Sequence, residues 1–155
     1  MIHTLKYGYR EALGMDLGII LGSRMIDEYS DTDAIVPIPL DKIRYKERGF
    51  NQSLCLAQGI AQVCQRAIYS RLLIRTVARA PQATLGVSAR WENMEDVYSV
   101  VCTRDIPKRI ILVDDVTTTG ATLRSAARAL RMAGAEKISA LVFAHGIPPR
   151  HTPVR

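Results

Sequence analysis

IILVDDVTTTGAT, at residues 110–122, joins a short apolar run, two adjacent carboxylates and a hydroxyl-rich turn. The apolar run is too short for a helix of its own, and it is typical of a strand buried on both faces of a parallel sheet. The polar residues then lie at the carboxyl end of that strand, where ligands bind in open α/β sheets. A helix predicted after the turn begins with unpaired N–H groups and a positive dipole end, which favours a phosphate group.

Helix and strand patterns alternate on both sides of this stretch. Asn51 is a plausible N-cap, and Gly134 can end the helix that follows the turn. The predicted elements, in chain order, are a helix at 10–29, a strand at 34–38, a Lys- and Arg-rich loop, a helix from Asn51, short strands at 71–74 and 97–101, a helix at 123–133 and a strand at 138–144. This order predicts one α/β domain over residues 1–155, with a doubly wound, mostly parallel sheet.

The first predicted helix holds three glycines, Gly14, Gly18 and Gly22, at four-residue spacing. Glycine weakens a helix, but a row of glycines on one face lets another backbone pack closely. We therefore expect a close neighbour for this helix. Three cysteines, Cys55, Cys64 and Cys102, match no zinc or disulfide spacing and are interpreted as buried thiols.

Composition restricts the class of protein. Apolar residues make up 48% of the 155 residues and charged residues 23%, as in a globular domain. No apolar run approaches the roughly 20 residues of a membrane span, and no signal-peptide pattern occurs, so a cytoplasmic location is expected. The net charge of +6 indicates an anionic partner, which a phosphorylated metabolite or a nucleic acid would satisfy.

Asp114 and Asp115 would point in opposite directions from an extended strand, which rules out a simple acid/base pair on one face. Both can accept hydrogen bonds from vicinal sugar hydroxyls or hold the hydration shell of Mg²⁺. The alternative is that they only cap the turn. The context favours a ligand, since the turn supplies three hydroxyls and successive N–H groups, and Gly120 lets the backbone approach a phosphate.

The whole stretch strongly resembles the phosphoribosyl pyrophosphate (PRPP) motif of type I phosphoribosyltransferases. The resemblance implies that Asp114 and Asp115 contact the ribose hydroxyls and, through waters and PRPP, a Mg²⁺ ion. It also implies a cradle for the 5′-phosphate made by Thr117, Thr118, Thr119, Gly120, Ala121 and Thr122. The fold that it implies is type I phosphoribosyltransferase-like.

The same resemblance implies a pyrophosphate loop after the first strand of the sheet. Arg44, Lys46 and Arg48 are its candidate cations, with Asn51 beside them; alternatively, Arg48 and Asn51 only fix a loop and cap a helix. Residues 75–96 lack periodicity and are the natural lid over the reaction. The candidate catalytic residues there are Arg75, Arg79, Gln82 and Arg90.

Further segments resemble the ComF family of competence-associated proteins over residues 2 to about 144. They are LKYG at 5–8, VPIPL at 36–40, RGFNQ at 48–52, and Gln82, Leu85, Arg90 and Asn93 at their present spacing. Typical members have a four-cysteine zinc module ahead of the LKYG segment, and the printed sequence has no counterpart of it. Residues 1–30 are expected to form an N-terminal helical or hood region, which often selects the acceptor in these transferases.

Three hypotheses follow. The first is a PRPP-dependent transferase of unidentified acceptor, the second a sensor of PRPP or a nucleotide without turnover, and the third a DNA-uptake factor that binds single-stranded DNA or a competence-machinery partner. Arg124, Arg128 and Arg131 form a basic stripe, interpreted as solvated surface in preference to a nucleic-acid site. No aromatic stacking platform is evident, so a phosphorylated metabolite ranks first. A homo-oligomer is left open.

Overall fold

A four-stranded parallel sheet forms the centre of the computed structural model, which describes residues 11–25, 27–76, 97–101 and 105–146. Its strands are β1 (Ala34–Pro37), β2 (Ala67–Ile68), β5 (Arg109–Thr117) and β6 (Lys137–His145). They are arranged in the order β2-β1-β5-β6, and every pairing is parallel. Two further strands, β3 (Leu73–Arg75) and β4 (Tyr98–Val100), pair antiparallel in a separate ribbon.

Helices cover both faces of the sheet. They are α1 (Glu11–Met25), α2 (Lys42–Arg48), α3 (Gln52–Cys64) and α4 (Ala121–Met132). On one face, α1 and α3 bury the side chains of Leu17, Leu56 and Ile60 against Ile35, Ile111 and Val113. On the other face, α4 and the β3–β4 ribbon bury Leu72, Tyr98, Ala126 and Leu130 against Val36, Ile110 and Leu112. The predicted α/β, doubly wound, mostly parallel sheet is confirmed.

Alternation along β5 explains how one strand serves both cores. Successive side chains of a strand point to opposite faces, and the apolar residues of β5 divide between the two clusters in that way. Because both faces are covered, the strand is apolar without interruption from Ile110 to Val113, each at most 2% exposed.

The glycine row packs α1 against α3, as expected. A Cβ at Gly18 would collide with the Leu56 carbonyl oxygen, and a Cβ at Gly59 with the Met15 carbonyl oxygen. At Gly22 the Ile60 Cα would lie 3.2 Å away. The described part of the N-terminal region, α1, therefore lies in a core layer, whereas residues 1–10 of the expected hood lie outside the described residues.

Two sequence predictions about this half of the chain are wrong. The first helix ends at Met25 rather than at 29, and a turn over residues 27–31 follows it. The basic segment after β1 is the helix α2 and not a loop: Asp41 accepts a hydrogen bond from the Arg44 N–H at its start, and Gly49 ends it with φ 78°. Seven residues are too few for a periodic pattern, but Lys, Arg and Glu form helices readily when both ends are capped.

Several strand ends differ from prediction by about one residue, but β3 begins at Leu73 rather than at 71, and β5 continues to Thr117, four residues beyond the apolar run. β1 ends at Pro37, although the Ile38 N–H still donates to the Val113 carbonyl over 2.9 Å. The two-residue strand β2 was not predicted, because it is too short to leave a pattern. Cys55 is buried and Cys64 half-buried, both as free thiols, as expected. Among the described helices, none has the length and apolar character needed to cross a membrane.

Several predictions lie outside the described residues. They concern most of the lid, with Arg79, Gln82 and Arg90, and also Cys102.

Candidate functional site

The carboxyl edge of the sheet brings the PRPP-motif residues together with the start of α3. Asp114 and Asp115 are still part of β5, and Asp114 lies opposite Val142 of β6. Alternation along β5 turns adjacent side chains to opposite faces, yet the carboxyl groups of Asp114 and Asp115 interact: burial is the largest cause that raises the pKa of Asp114, and the charge of Asp115 and a side-chain hydrogen bond between the two raise it further. Asp114 follows Ile110 and Leu112 in that alternation, so it belongs to the face that holds Tyr98.

Asp114 is a fixed and nearly buried carboxylate, 8% exposed. Its Oδ1 accepts a hydrogen bond from the Ser53 hydroxyl over 3.0 Å and another from the Asp115 N–H over 2.9 Å. Burial, and next the charge of Asp115, raise the pKa of Asp114 to about 6, while the hydrogen bond from Ser53 lowers it. The arrangement orients a carboxylate that the surroundings make costly to ionise.

Ser53 is a site residue that sequence reasoning missed. It lies in the first turn of α3, two residues after the N-cap, and is only 4% exposed. Its single signal in the sequence is that it directly follows the RGFNQ segment. Nothing in that local pattern shows that its partner is Asp114.

The carboxylate of Asp115 differs from that of Asp114 in the hydrogen bonding of its second oxygen. Its Oδ1 accepts a hydrogen bond from the Val116 N–H over 2.8 Å. Its Oδ2 is buried and has no hydrogen-bond partner among the described residues. A buried, unpaired carboxylate oxygen is costly and rare in native proteins, and such an atom is often explained by a functional role or a bound polar group.

The turn after β5 has a fixed base and exposed hydroxyls. The Thr117 carbonyl accepts from the Gly146 N–H over 2.7 Å, and the Thr119 carbonyl accepts from Arg124 Nη1 over 2.8 Å. Thr118 and Thr119 are exposed. Gly120 has φ 72°, a left-handed conformation that glycine adopts without strain, and as the N-cap of α4 it has no side chain to cap the first turn.

The cations of α2 lie at the same edge of the sheet, because α2 follows β1. Arg44 and Lys46 are exposed and Arg48 is half-buried. Asp41 Oδ2 lies 3.4 Å from Arg44 Nε and 3.3 Å from Arg75 Nη1, so one carboxylate links α2 to β3. The predicted cationic cluster is therefore carried on a surface helix.

Several of these charged groups act on Tyr98. Burial is the largest cause that raises the pKa of this phenol; the charges of Asp114 and Asp41 act in the same sense, and those of Arg75 and Arg44 oppose them. Tyr98 also lies opposite Arg75 in the β3–β4 ribbon. The charges of Arg44, Arg75 and Asp114 thus all act on Tyr98, a residue that sequence reasoning missed.

Asn51 has a structural role, in agreement with the interpretation that it caps a helix. Its Nδ2 donates to the Ile38 carbonyl over 3.0 Å, and its Oδ1 accepts from the Ser53 N–H over 3.1 Å. The prediction that Asn51 caps a helix is confirmed. Both polar groups of the amide are engaged, so Asn51 ties the end of β1 to the turn of α3 that holds Ser53.

The carboxylates of Asp114 and Asp115 fit a Mg²⁺ ion whose other partners are waters and the phosphate oxygens of a bound molecule. Within the described ranges, no three His, Cys, Asp or Glu side chains converge as a metal site. Two adjacent carboxylates, one with a spare buried oxygen, match the habit of Mg²⁺ of keeping several waters and sharing phosphate oxygens.

Sequence comparison identifies relatives of the whole segment. A family model described as a phosphoribosyl transferase domain matches residues 106–151. Competence protein F of Haemophilus influenzae is 32% identical over 108 residues, which is 68% of this chain and 47% of that protein. The DNA utilization protein YhgH of Escherichia coli K12 is 30% identical over 146 residues, 89% of this chain and 63% of that protein. The chain thus spans about half to three-fifths of the length of these curated relatives.

Structural comparison gives the same fold at lower identity. Glutamine PRPP amidotransferase from B. subtilis matches with a TM-score of 0.61 and 20% identity, over 93% of this chain and 28% of that one. A purine phosphoribosyltransferase from Pyrococcus horikoshii matches with a TM-score of 0.53 and 16% identity, over 89% of this chain and 79% of that one. With its parallel sheet, its motif at the carboxyl edge and these relatives, the chain belongs to the ComF family of phosphoribosyltransferase-like proteins.

Proposed function

We propose that this protein binds PRPP at the carboxyl edge of β5 and transfers its phosphoribosyl group to an acceptor, releasing pyrophosphate. The observation that supports this most is the buried Asp115 Oδ2, which has no hydrogen-bond partner within the described ranges, next to the oriented Asp114. Two carboxylates side by side match the two vicinal hydroxyls of a ribose, and the exposed threonines of the following turn match its phosphate.

The reaction is a substitution at C1 of the ribose. The bond from C1 to the pyrophosphate oxygen breaks, and pyrophosphate leaves with the electron pair. The acceptor's nucleophile then forms a bond to C1 and loses its proton. As in glycoside chemistry, the sugar passes through an oxocarbenium-like state. Bound Mg²⁺ supplies positive charge that neutralises the pyrophosphate oxygens.

The residues of the chain divide the remaining work. Asp114 and Asp115 hold the ribose, and residues 117–122 hold the 5′-phosphate, so C1 is fixed in position. We assign Arg44 and Arg75 to the pyrophosphate; the action of both their charges and that of Asp114 on Tyr98 supports this. Lys46, Arg48 and the lid residues Arg79, Gln82 and Arg90 stay predictions for the same task.

Titration calorimetry tests the binding half of the proposal. Wild-type protein is expected to bind PRPP only with Mg²⁺ present, and Asp114→Asn with Asp115→Asn to lose that binding. A matched control, Asp16→Asn with Glu28→Gln, removes the same charge from exposed positions. Unchanged affinity in the Asp114/Asp115 double variant would remove the site assignment.

Turnover needs a second assay. Pyrophosphate release is measured across a panel of nucleobases and amines, with wild-type protein and the Asp114/Asp115 double variant. Release that depends on these carboxylates supports a transferase. Tight PRPP binding without release for any acceptor would favour the sensor.

The names of the relatives favour a third candidate, a role in DNA handling. Single-strand affinity that falls steeply with salt would support it, since phosphate contacts release counterions. No affinity at low salt would exclude it.

A further inference from the structure

Gly146 is the first residue after β6, and it lies where β5 leaves the sheet. The register of the two strands pairs Thr117 with His145, and the Gly146 N–H then donates to the Thr117 carbonyl over 2.7 Å. Beyond this bond, Thr118 begins the turn after β5. Gly146 therefore bonds to the last residue of the strand and is a neighbour of the first residue of the turn.

The closest neighbour of Gly146 on its open side is a methyl group. A Cβ added at this position would lie 3.0 Å from Thr118 Cγ2, 3.8 Å from the Thr117 carbonyl oxygen and 3.9 Å from Val116 Cγ1. Non-bonded carbon atoms are normally about 3.5–4.0 Å apart. The Thr118 methyl thus occupies space that a side chain at position 146 would need, whereas the other two atoms are at ordinary contact distance.

Backbone conformation does not explain this glycine. Among the described residues, the glycines with φ in the left-handed region are Gly49, Gly120 and Gly134. Gly146 is not one of them, so an alanine could adopt its φ without strain. The feature that requires the absence of a side chain at position 146 is therefore the contact with Thr118.

That contact restricts the hydroxyl of Thr118. The methyl and the hydroxyl are attached to the same Cβ, and a β-branched side chain has few allowed χ1 rotamers. If a new side chain displaced the methyl by rotation about χ1, the hydroxyl would move by about 120° to another staggered position. If the methyl moved together with the backbone, the N–H groups of the turn would move as well. Either movement changes the hydrogen-bond donors that the turn offers to a phosphate.

We propose that Gly146 is a positioning residue for the 5′-phosphate of the ligand. By leaving room for the Thr118 methyl and bonding to the Thr117 carbonyl, it fixes the direction of the Thr118 hydroxyl and of the N–H groups that follow. Gly146 has this role only if the proposed function is correct, since that function assigns the 5′-phosphate to the turn after β5. The site then includes the carboxyl end of β6, which contributes no residue of the PRPP motif.

A double-mutant cycle of Gly146 and Thr118 tests the proposal, with ribose 5-phosphate as the probe of the 5′-phosphate site. In the wild-type background, Gly146→Ala is expected to weaken ribose 5-phosphate binding by about tenfold or more, as for loss of a hydrogen bond to a charged group. Thr118→Ser keeps the hydroxyl and removes the methyl. In the Thr118→Ser background, Gly146→Ala is therefore expected to change the affinity by less than about twofold, because the conflicting atom is absent.

Two controls separate positioning from general damage to the fold. Gly134→Ala places a Cβ with no atom within 4 Å, and it is expected to bind ribose 5-phosphate as wild type does. Pyrophosphate with Mg²⁺ has neither ribose nor 5′-phosphate, and it is expected to bind Gly146→Ala as it binds wild type. Equal losses for the two ligands in Gly146→Ala would overturn the proposal, and so would a loss in Gly134→Ala as large as that in Gly146→Ala.

NMR of the ligand-free protein measures the structural step itself. Three-bond couplings report χ1 of Thr118, and Gly146→Ala is expected to change them or to shift the backbone amide signals of Thr118 and Thr119. Unchanged couplings and amide signals would overturn the role of Gly146, and so would an equal loss of ribose 5-phosphate affinity in both backgrounds of the cycle. If wild-type protein binds neither ribose 5-phosphate nor PRPP, it is the proposed function that fails, and the couplings still decide whether Gly146 positions Thr118.

Discussion

The hydroxyl of Ser53 donates to Asp114 Oδ1 over 3.0 Å, joining the first turn of α3 to the central strand across 61 positions of sequence. Asn51, two residues before Ser53, bonds to the Ile38 carbonyl at the end of β1. The motif carboxylate is therefore positioned by a neighbouring helix, which is itself tied to the neighbouring strand.

Ser53→Ala tests this positioning. The change leaves Asp114 Oδ1 with only the Asp115 N–H as a donor among the contacts described, and a hydrogen bond to a charged group contributes about 1.5–3 kcal/mol. We expect PRPP affinity to fall by roughly tenfold or more on that scale. Calorimetry on Ser53→Ala and on Ser23→Ala, whose exposed hydroxyl bonds to the Ile19 carbonyl, makes the comparison. Equal affinities would contradict the role of Ser53.

The raised pKa of Asp114 predicts a pH-dependent stability. Its pKa is about 6 in the folded protein against an ordinary value of 3.8, so between these values the folded state holds more protons than the unfolded state. Stability therefore decreases as the pH rises from about 4 to about 6. Asp114→Asn should remove this cost, and its stability should exceed that of the wild type by on the order of 3 kcal/mol above pH 6, with the advantage shrinking towards pH 4.

Urea unfolding at several pH values measures that difference. Asp16→Asn, which removes an exposed carboxylate from α1, is the control variant. An Asp114→Asn advantage that is constant with pH would mean that ionisation of this carboxyl is not its source.

Gly120→Ala tests whether the turn after β5 is needed for PRPP binding, apart from any effect on the stability of the fold. Alanine at φ 72° costs about 1–2 kcal/mol, and its Cβ would lie 3.2 Å from Arg124 Nη1, which closes the turn. We expect a folded protein whose PRPP affinity is reduced about tenfold, because displacement of the turn weakens charge-assisted hydrogen bonds. Gly134→Ala is the matched control: φ is 111° there, with no atom within 4 Å of the new Cβ. It should lose stability but bind PRPP normally.

Gly59→Ala should weaken the α1–α3 contact. Its Cβ would collide with the Met15 carbonyl oxygen, and backbone must move to admit it. Overpacking of this kind costs about 1–3 kcal/mol, or several degrees in Tm. Gly22→Ala meets Ile60 Cα at a milder 3.2 Å and should lose less. Thermal unfolding that ranks the two variants in the opposite order would contradict this packing.

The predictable part of this molecule is the part encoded by local pattern. The apolar run at 110–113 predicted a strand with two covered faces, and Gly18 and Gly22 predicted a close helix neighbour. Helix α2 was missed, because its ends depend on the caps at Asp41 and Gly49 rather than on a periodic face.

The site was predictable only on the strand that carries the motif. Ser53 bonds to Asp114 across the fold, and the charge of Asp114 acts on Tyr98; neither residue has a local signal for this. The stripe of arginines on α4 was visible in the sequence, but the ribbon that faces Arg124 and Arg128 was needed to distinguish them from Arg131.

Asp33 and Arg109 hold the opposite edge of the sheet. The Arg109 N–H donates to Asp33 Oδ2 over 2.9 Å, its guanidinium donates to Oδ1 over 2.7 Å, and the Asp33 N–H donates to the Arg109 carbonyl over 2.8 Å. These contacts between Asp33 and Arg109 set the register of β5 against β1. The number of apolar residues from Ile110 to Val113 then determines the face of the sheet on which each later side chain lies. Because side chains alternate, inserting or deleting a single residue within 110–113 would exchange the faces of Asp114 and Asp115. The number of residues in a buried strand thus decides which face of the sheet each motif carboxylate occupies.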